Sequence, residues 1–218
     1  MPRRRRPGGT ARRAGAVLRH APRHSAAARG DAPPLKPVFV CAHGAGGHKD
    51  DRSMLALAEA LAPMLEVVRF DFPYRVKGSR RPDAMPVLQE RIREEAEKAK
   101  GRVFLGGRSM GGRAASMLAA EGFACAGLLL FAYPLHPAGQ PEKLRTAHLA
   151  RIEVPVLCFN GTRDELCDRT LMEKSTAGLR GWTQHWLDGA RHSFSDSGTM
   201  DEVARVTAAW LRDCTDIQ

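Results

Sequence analysis

No apolar run in the 218 residues approaches 18 in a row, so the sequence offers no membrane-spanning helix. Neither cysteine framework nor zinc pattern is present. The five cysteines, Cys41, Cys125, Cys158, Cys167 and Cys214, are odd in number and spaced unlike any ligand set. That usage points to a reducing compartment, the cytoplasm, with Cys41, Cys125 and Cys158 as plain core residues of apolar runs. Nucleotide fingerprints fail as well. No Walker A motif occurs, and the glycine run Gly44-Ala45-Gly46-Gly47 continues to Lys49 where G-x-G-x-x-G needs glycine. Acidic residues are scarce in one place only: Asp31 is the single acid among residues 1–36, which hold nine arginines and Lys36.

The net charge of +10 is therefore lopsided, with +9 in residues 1–36 and +1 in the remainder. A body so near neutrality gives no general argument for nucleic-acid binding. The Arg/Pro/Ala-rich residues 1–36 lack any apolar period and are expected to be a disordered basic extension. Three readings of it stay open: a solvated extension, a basic arm for nucleic acid or an anionic surface, and an organelle transit peptide. Its longest apolar stretch, Ala14 to Leu18, is shorter than a secretory signal requires.

From residue 37 to 218 short apolar runs alternate with amphipathic stretches, which predicts a single domain. Strands are expected at Val38–Cys41, Val67–Phe70, Val103–Leu105, Ala126–Phe131, Val154–Phe159 and Thr183–Leu187. Helices are expected around Met54–Leu61, over Val87–Lys100, Met110–Glu121, Glu142–Ala150 and Arg169–Ala177. A final one opens at a capping box, Thr199-Met200-Asp201-Glu202, and turns Val203, Val206 and Trp210 inward. Six alternations predict an α/β fold, a doubly wound and mainly parallel six-stranded sheet with helices on both faces. Ligands of such sheets bind beyond the carboxyl ends of the strands.

The loops at those ends carry the chemistry. Gly107-Arg108-Ser109-Met110-Gly111 is a G-x-S-x-G between a predicted strand and a predicted helix, the context of a nucleophile elbow. A serine there needs a histidine base and an acid between them in chain order. His192, after the last strand, and Asp164, just past Gly161, supply the order Ser109, Asp164, His192. Glu165 and Asp168 are rival acids, and His185, inside a strand, is a poor rival base. The oxyanion would be held by the amide of Met110 and by that of Ala45 in His43-Gly44-Ala45-Gly46-Gly47, with Gly46 as the rival. His43, His48, Asp50 and Asp51 match no metal-ligand spacing. This chemistry calls for no metal and no cofactor.

Residues 37–213 resemble the alpha/beta-hydrolase superfamily. The segments that carry the likeness are HGAGG, DFPYR (Asp71–Arg75), GGRSMGGR (Gly106–Arg113), FAYPLHP (Phe131–Pro137), NGTRDELC and ARHSF. Together they are similar to the branch related to dienelactone hydrolases and shared with testis-expressed proteins and a chromatin acetyltransferase-complex subunit. The resemblance implies strand order 2-1-3-4-5-6. Dienelactone hydrolases use a cysteine nucleophile where residue 109 is serine, so their substrate does not carry over. Two functions follow as expectations: a serine hydrolase of carboxylic esters or thioesters, or a catalytically silent interaction module. Tyr133 to Glu153 leaves about 20 residues between the fourth and fifth strands, too few for a sizeable lid, which favours an open site for a small acyl substrate. Arg108, Arg163 and Arg191 adjoin the three candidate catalytic residues, and Arg75, Lys77, Arg80 and Arg81 share their edge. They would suit an anionic acyl group, or serve only as solvated surface. Nothing in the sequence fixes an oligomeric state.

Overall fold

The computed structural model describes residues 36–215. The extension expected at residues 1–36 lies, Lys36 apart, outside them. The strands are β1 (Val38–Ala42), β2 (Glu66–Phe70), β3 (Val103–Arg108), β4 (Gly127–Phe131), β5 (Val156–Gly161) and β6 (Trp182–Leu187). They pair in the order β2-β1-β3-β4-β5-β6, every pair parallel. β1, β4 and all of β5 are buried along their whole length. Strands covered on both faces read as continuous apolar runs rather than alternating ones.

Parallel pairing requires crossovers, and the helices supply them. They are α1 (Arg52–Leu61), α2 (Pro73–Val76), α3 (Met85–Lys98), α4 (Met110–Ala120), α5 (Arg169–Thr176) and α6 (Ser197–Thr215). One face of the sheet packs Val40, Leu105 and Leu130 against Leu88 and Ile92 of α3, Ala114 and Leu118 of α4, and Met172 of α5. The other packs Phe39, Leu129 and Phe159 against Met54, Leu57 and Leu61 of α1 and Val203 and Trp210 of α6. The doubly wound sheet is thus as the alternation predicted.

Two expectations need correction. The helix expected at Glu142–Ala150 is one 3-10 turn, Leu149–Arg151. The Arg145 amide donates instead to the Leu135 carbonyl at 2.8 Å, and the Tyr133 hydroxyl donates to the Arg145 carbonyl at 2.8 Å. Those bonds fold the segment back on residues 133–137 and take the groups a helix would use. The capping box also fails. α6 begins at Ser197 because Asp196 Oδ1 accepts from the Thr199 amide at 2.9 Å, while Glu202 pairs with His185 at 2.8 Å. α2, for which no element was expected, opens at Pro73, which fixes its first turn. Among the described residues no helix is long and apolar enough to cross a membrane, and no group of three or more His, Cys, Asp and Glu converges as a metal site.

The 3-10 turn is tied to α4 by a buried pair, His148 Nε2 to Ser116 Oγ at 2.8 Å. The Ser116 hydroxyl donates onward to the Arg113 carbonyl, so the imidazole serves as donor. Burial and the charges of Arg113 and Arg151 push His148 down to about 4, against a smaller opposite pull from Glu121. Between that value and the ordinary 6.5 the unfolded chain binds the extra proton. Stability is therefore complete above pH 6.5 and falls as the pH drops toward 4. Urea-unfolding midpoints across this range should flatten in His148→Gln.

Candidate active site

Ser109 joins β3 to α4 with φ 50° and ψ −117°. Of the described residues only it and Ala132 have positive φ without being glycine, and both stand at the carboxyl edge of the sheet. Its amide stays in the sheet, donating to the Phe131 carbonyl at 2.8 Å, while its carbonyl already accepts from the Arg113 amide at 3.0 Å. The turn is this sharp because two side chains are missing. A Cβ on Gly107 would stand 2.1 Å from the Ala42 carbonyl oxygen, and one on Gly111 would stand 2.4 Å from the same atom. α4 therefore starts almost on the end of β1, with its positive terminus at the serine.

The residues expected to act with Ser109 converge on it. Ser109 Oγ lies 2.8 Å from His192 Nε2, and His192 Nδ1 lies 2.9 and 3.0 Å from the two carboxylate oxygens of Asp164. Ser109 and Asp164 are buried at 8% and 6% exposure. The rival acids are placed elsewhere: Glu165 is exposed, and Asp168 accepts from the Leu171 amide at the start of α5. His185 is held by Glu202.

Sequence reasoning missed the groups that orient Asp164. The Leu166 amide donates to its Oδ1 at 2.9 Å, and Asn160 Nδ2 donates to its Oδ2 at 3.3 Å. Asn160 is fully buried and also donates to the Tyr133 carbonyl at 3.0 Å. The loop of Ala45 is likewise held from below. His43 Nδ1 donates to the Gly44 carbonyl at 2.8 Å, and its Nε2 accepts from the Phe72 amide at 3.3 Å. Burial pushes His43 below its usual range, consistent with a neutral ring that both donates and accepts. Asp71 of DFPYR accepts from the Lys49 amide at 2.8 Å. The DFPYR segment thus braces the glycine loop.

The arginines next to the candidate triad are not grouped around the serine. Arg108 Nη2 donates to the His192 carbonyl at 2.7 Å and to Ser193 Oγ at 2.9 Å, which ties the histidine loop to the end of β3. Arg163, Arg191, Lys77, Arg80 and Arg81 are exposed, and Arg75 donates to the Ser79 carbonyl. Different arginines line the cavity beside Ser109. It is about 400 Å³, walled by Ala45, Met110, Pro134 and Leu166 among others, and by Arg113 and Arg145. Helical spacing could have found Arg113, which stands one turn after Ser109 on α4. Arg145 is brought in only by the folded-back segment after β4.

A family model described as an alpha/beta hydrolase domain matches residues 35–211. The chain belongs to that family. Solved structures share the fold at low identity. The monoacylglycerol lipase of Paleococcus ferrophilus is 17% identical with a TM-score of 0.66, over 82% of this chain and 94% of that one. Dienelactone hydrolase from Anabaena variabilis is 20% identical with a TM-score of 0.65, over 83% and 88%. Est1E from Butyrivibrio proteoclasticus, in complex with ferulic acid, is 15% identical with a TM-score of 0.68, over 86% and 92%. At such identities the likeness extends to the fold alone.

The packing at the turn gives a direct expectation. In Gly111→Ala the new methyl would meet the Ala42 oxygen, the Ala42 carbon and the His43 oxygen, all backbone and all within 2.7 Å. No side-chain rotation relieves that overlap, so urea unfolding should show a loss of more than about 3 kcal/mol.

Proposed function

We propose that this hydrolase-fold protein is a serine hydrolase that cleaves a carboxylic ester or thioester through an acyl-enzyme on Ser109. The observation that carries the reading is the unbroken line of contacts from Asp164 through His192 to Ser109, each at 2.8 to 3.0 Å. In this reading His192 Nε2 takes the Ser109 proton as Oγ attacks the acyl carbon. Asp164 accepts from Nδ1, fixes the tautomer and steadies the imidazolium. Negative charge grows on the carbonyl oxygen, and the amides of Ala45 and Met110, both in the cavity wall, are assigned to hold it. One such donor is typically worth about 2.7–4 kcal/mol in the transition state. His192 then hands its proton to the leaving group, and a water activated by the same base frees the acyl group.

The named activities of the similar structures, a monoacylglycerol lipase and a dienelactone hydrolase, support ester cleavage as a reaction class. The short connection after β4, which holds a single 3-10 turn, favours small acyl groups over long ones. The mechanism proposed uses no metal or cofactor.

Incubation with a fluorophosphonate, read by intact mass and peptide mapping, tests the reading. One adduct on Ser109, absent in Ser109→Ala and in His192→Ala, is expected. No adduct on the folded protein would reject the hydrolase and favour the silent interaction module. Arg108→Met should slow the labelling about ten- to a hundredfold, because the His192 loop loses its tether and small misplacements of a base are costly.

A further inference from the structure

The cavity beside Ser109 has an electrostatic imbalance. Arg113 reaches it from α4, one turn or about 6 Å along the helix from the nucleophile. Arg145 reaches it from the segment after β4. No acidic side chain lines the walls. Among the described residues neither guanidinium enters an ion pair. Arg113 makes no side-chain hydrogen bond there, and its Nε is buried with no partner. Arg145 has one long contact, Nη1 to the Pro134 carbonyl at 3.4 Å. Burial and the like charge of Arg113 both push Arg145 below the ordinary arginine range, against a smaller pull from Tyr133.

Two cations brought together without a counter-charge cost stability, and buried donors without acceptors cost more. Both side chains are half-buried, so water offsets part of this cost, and an anion between them would offset the rest. Arginine's planar fork suits a carboxylate, which it grips with two parallel hydrogen bonds. Position decides which part of a substrate this is. His192 must face the leaving group to protonate it, and His192 is not part of the cavity wall. The assigned oxyanion amides of Ala45 and Met110 are. The cavity therefore takes the acyl portion.

We propose that Arg113 and Arg145 bind the free carboxylate of a dicarboxylic half-ester or half-thioester whose other carboxyl group is acylated onto Ser109. This rests on the hydrolase reading for the reaction and on the arginine pair for the substrate class. Arg113 stands one helical turn from Ser109, and a six-carbon dicarboxylate serves as the probe. In the reaction the Ser109 Oγ–acyl bond forms as the acyl bond to the leaving alcohol or thiol breaks. The Ser109 proton passes through His192 to that leaving group. Water then splits the acyl-enzyme, and the free dicarboxylate departs.

The test compares mono-4-nitrophenyl adipate with 4-nitrophenyl hexanoate, which has the same chain length without the charge. Background hydrolysis is subtracted, and the full chain is used. The ratio of kcat/KM for the anionic over the neutral ester should fall at least tenfold in Arg113→Gln and in Arg145→Gln, and less in Arg113→Lys, which keeps a cation. Equal losses on both esters, or no preference for the anionic ester in the unaltered protein, would overturn the proposal. A second readout does not depend on turnover: calorimetric binding of monoethyl adipate to Ser109→Ala. Binding that disappears on adding Arg113→Gln supports the subsite even if neither ester is cleaved, in which case the hydrolase reading alone fails. Absence of binding to a folded Ser109→Ala protein overturns the subsite while leaving hexanoate cleavage to speak for the hydrolase. Circular dichroism of each variant separates loss of binding from loss of fold.

Discussion

The carbonyl of Ala42, at the end of β1, occupies the space where a side chain on Gly107 or Gly111 would begin. Everything at the site depends on that contact. It lets α4 start beside the central strands and holds Ser109 in a backbone conformation few side-chain-bearing residues adopt. It also sets the glycine loop after β1 against the start of α4, so that Ala45 and Met110 face one cavity. The strain is local. It is sustained by the buried parallel strands on either side, whose registers leave little room for the turn to relax.

Around that fixed point the structure places polar groups in pairs that satisfy one another. Asp164 is buried, yet its oxygens are met by His192, Leu166 and Asn160. His43 is buried, yet both ring nitrogens are used. His148 and Ser116 do the same beneath the segment after β4. Buried polar groups so partnered specify one arrangement, because any shift leaves a donor or acceptor unmet. Among the described residues the Nε atoms of Arg75, Arg102, Arg108 and Arg113 are buried without a partner; the first three donate through Nη to the carbonyls of Ser79, Cys214 and His192, whereas Arg113 makes no side-chain hydrogen bond. An arginine with no side-chain partner beside Ser109 is the feature on which the proposed carboxylate subsite rests.

The short connection after β4 has two effects at once. It contributes Tyr133, whose carbonyl accepts from Asn160 on one side and whose hydroxyl donates to the Arg145 carbonyl on the other. Orientation of Asp164 and delivery of Arg145 to the cavity are thus joined through a single buried tyrosine.

Much of this was legible in the sequence. The run of apolar segments separated by amphipathic ones dictated a parallel sheet, since only helical crossovers return a chain to the same edge. G-x-S-x-G and the order Ser109, Asp164, His192 pointed to the residues that now stand within hydrogen-bond distance, because a turn that tight tolerates few residue types. The strand ends were less legible: Asn160 and Gly161 read as loop, yet complete β5, since pairing with β6 and not local preference decides where a strand stops. What only the tertiary structure decided was the use of the arginines. Sequence proximity placed Arg108, Arg163 and Arg191 at the site, whereas the fold turns Arg108 onto the histidine loop and leaves the other two exposed. It brings in Arg113 by helical pitch and Arg145 by a segment whose amide bonds to Leu135 instead of forming a helix. Neighbours along a chain share a backbone, but the direction of a side chain is set by packing, and that is settled only when distant segments meet.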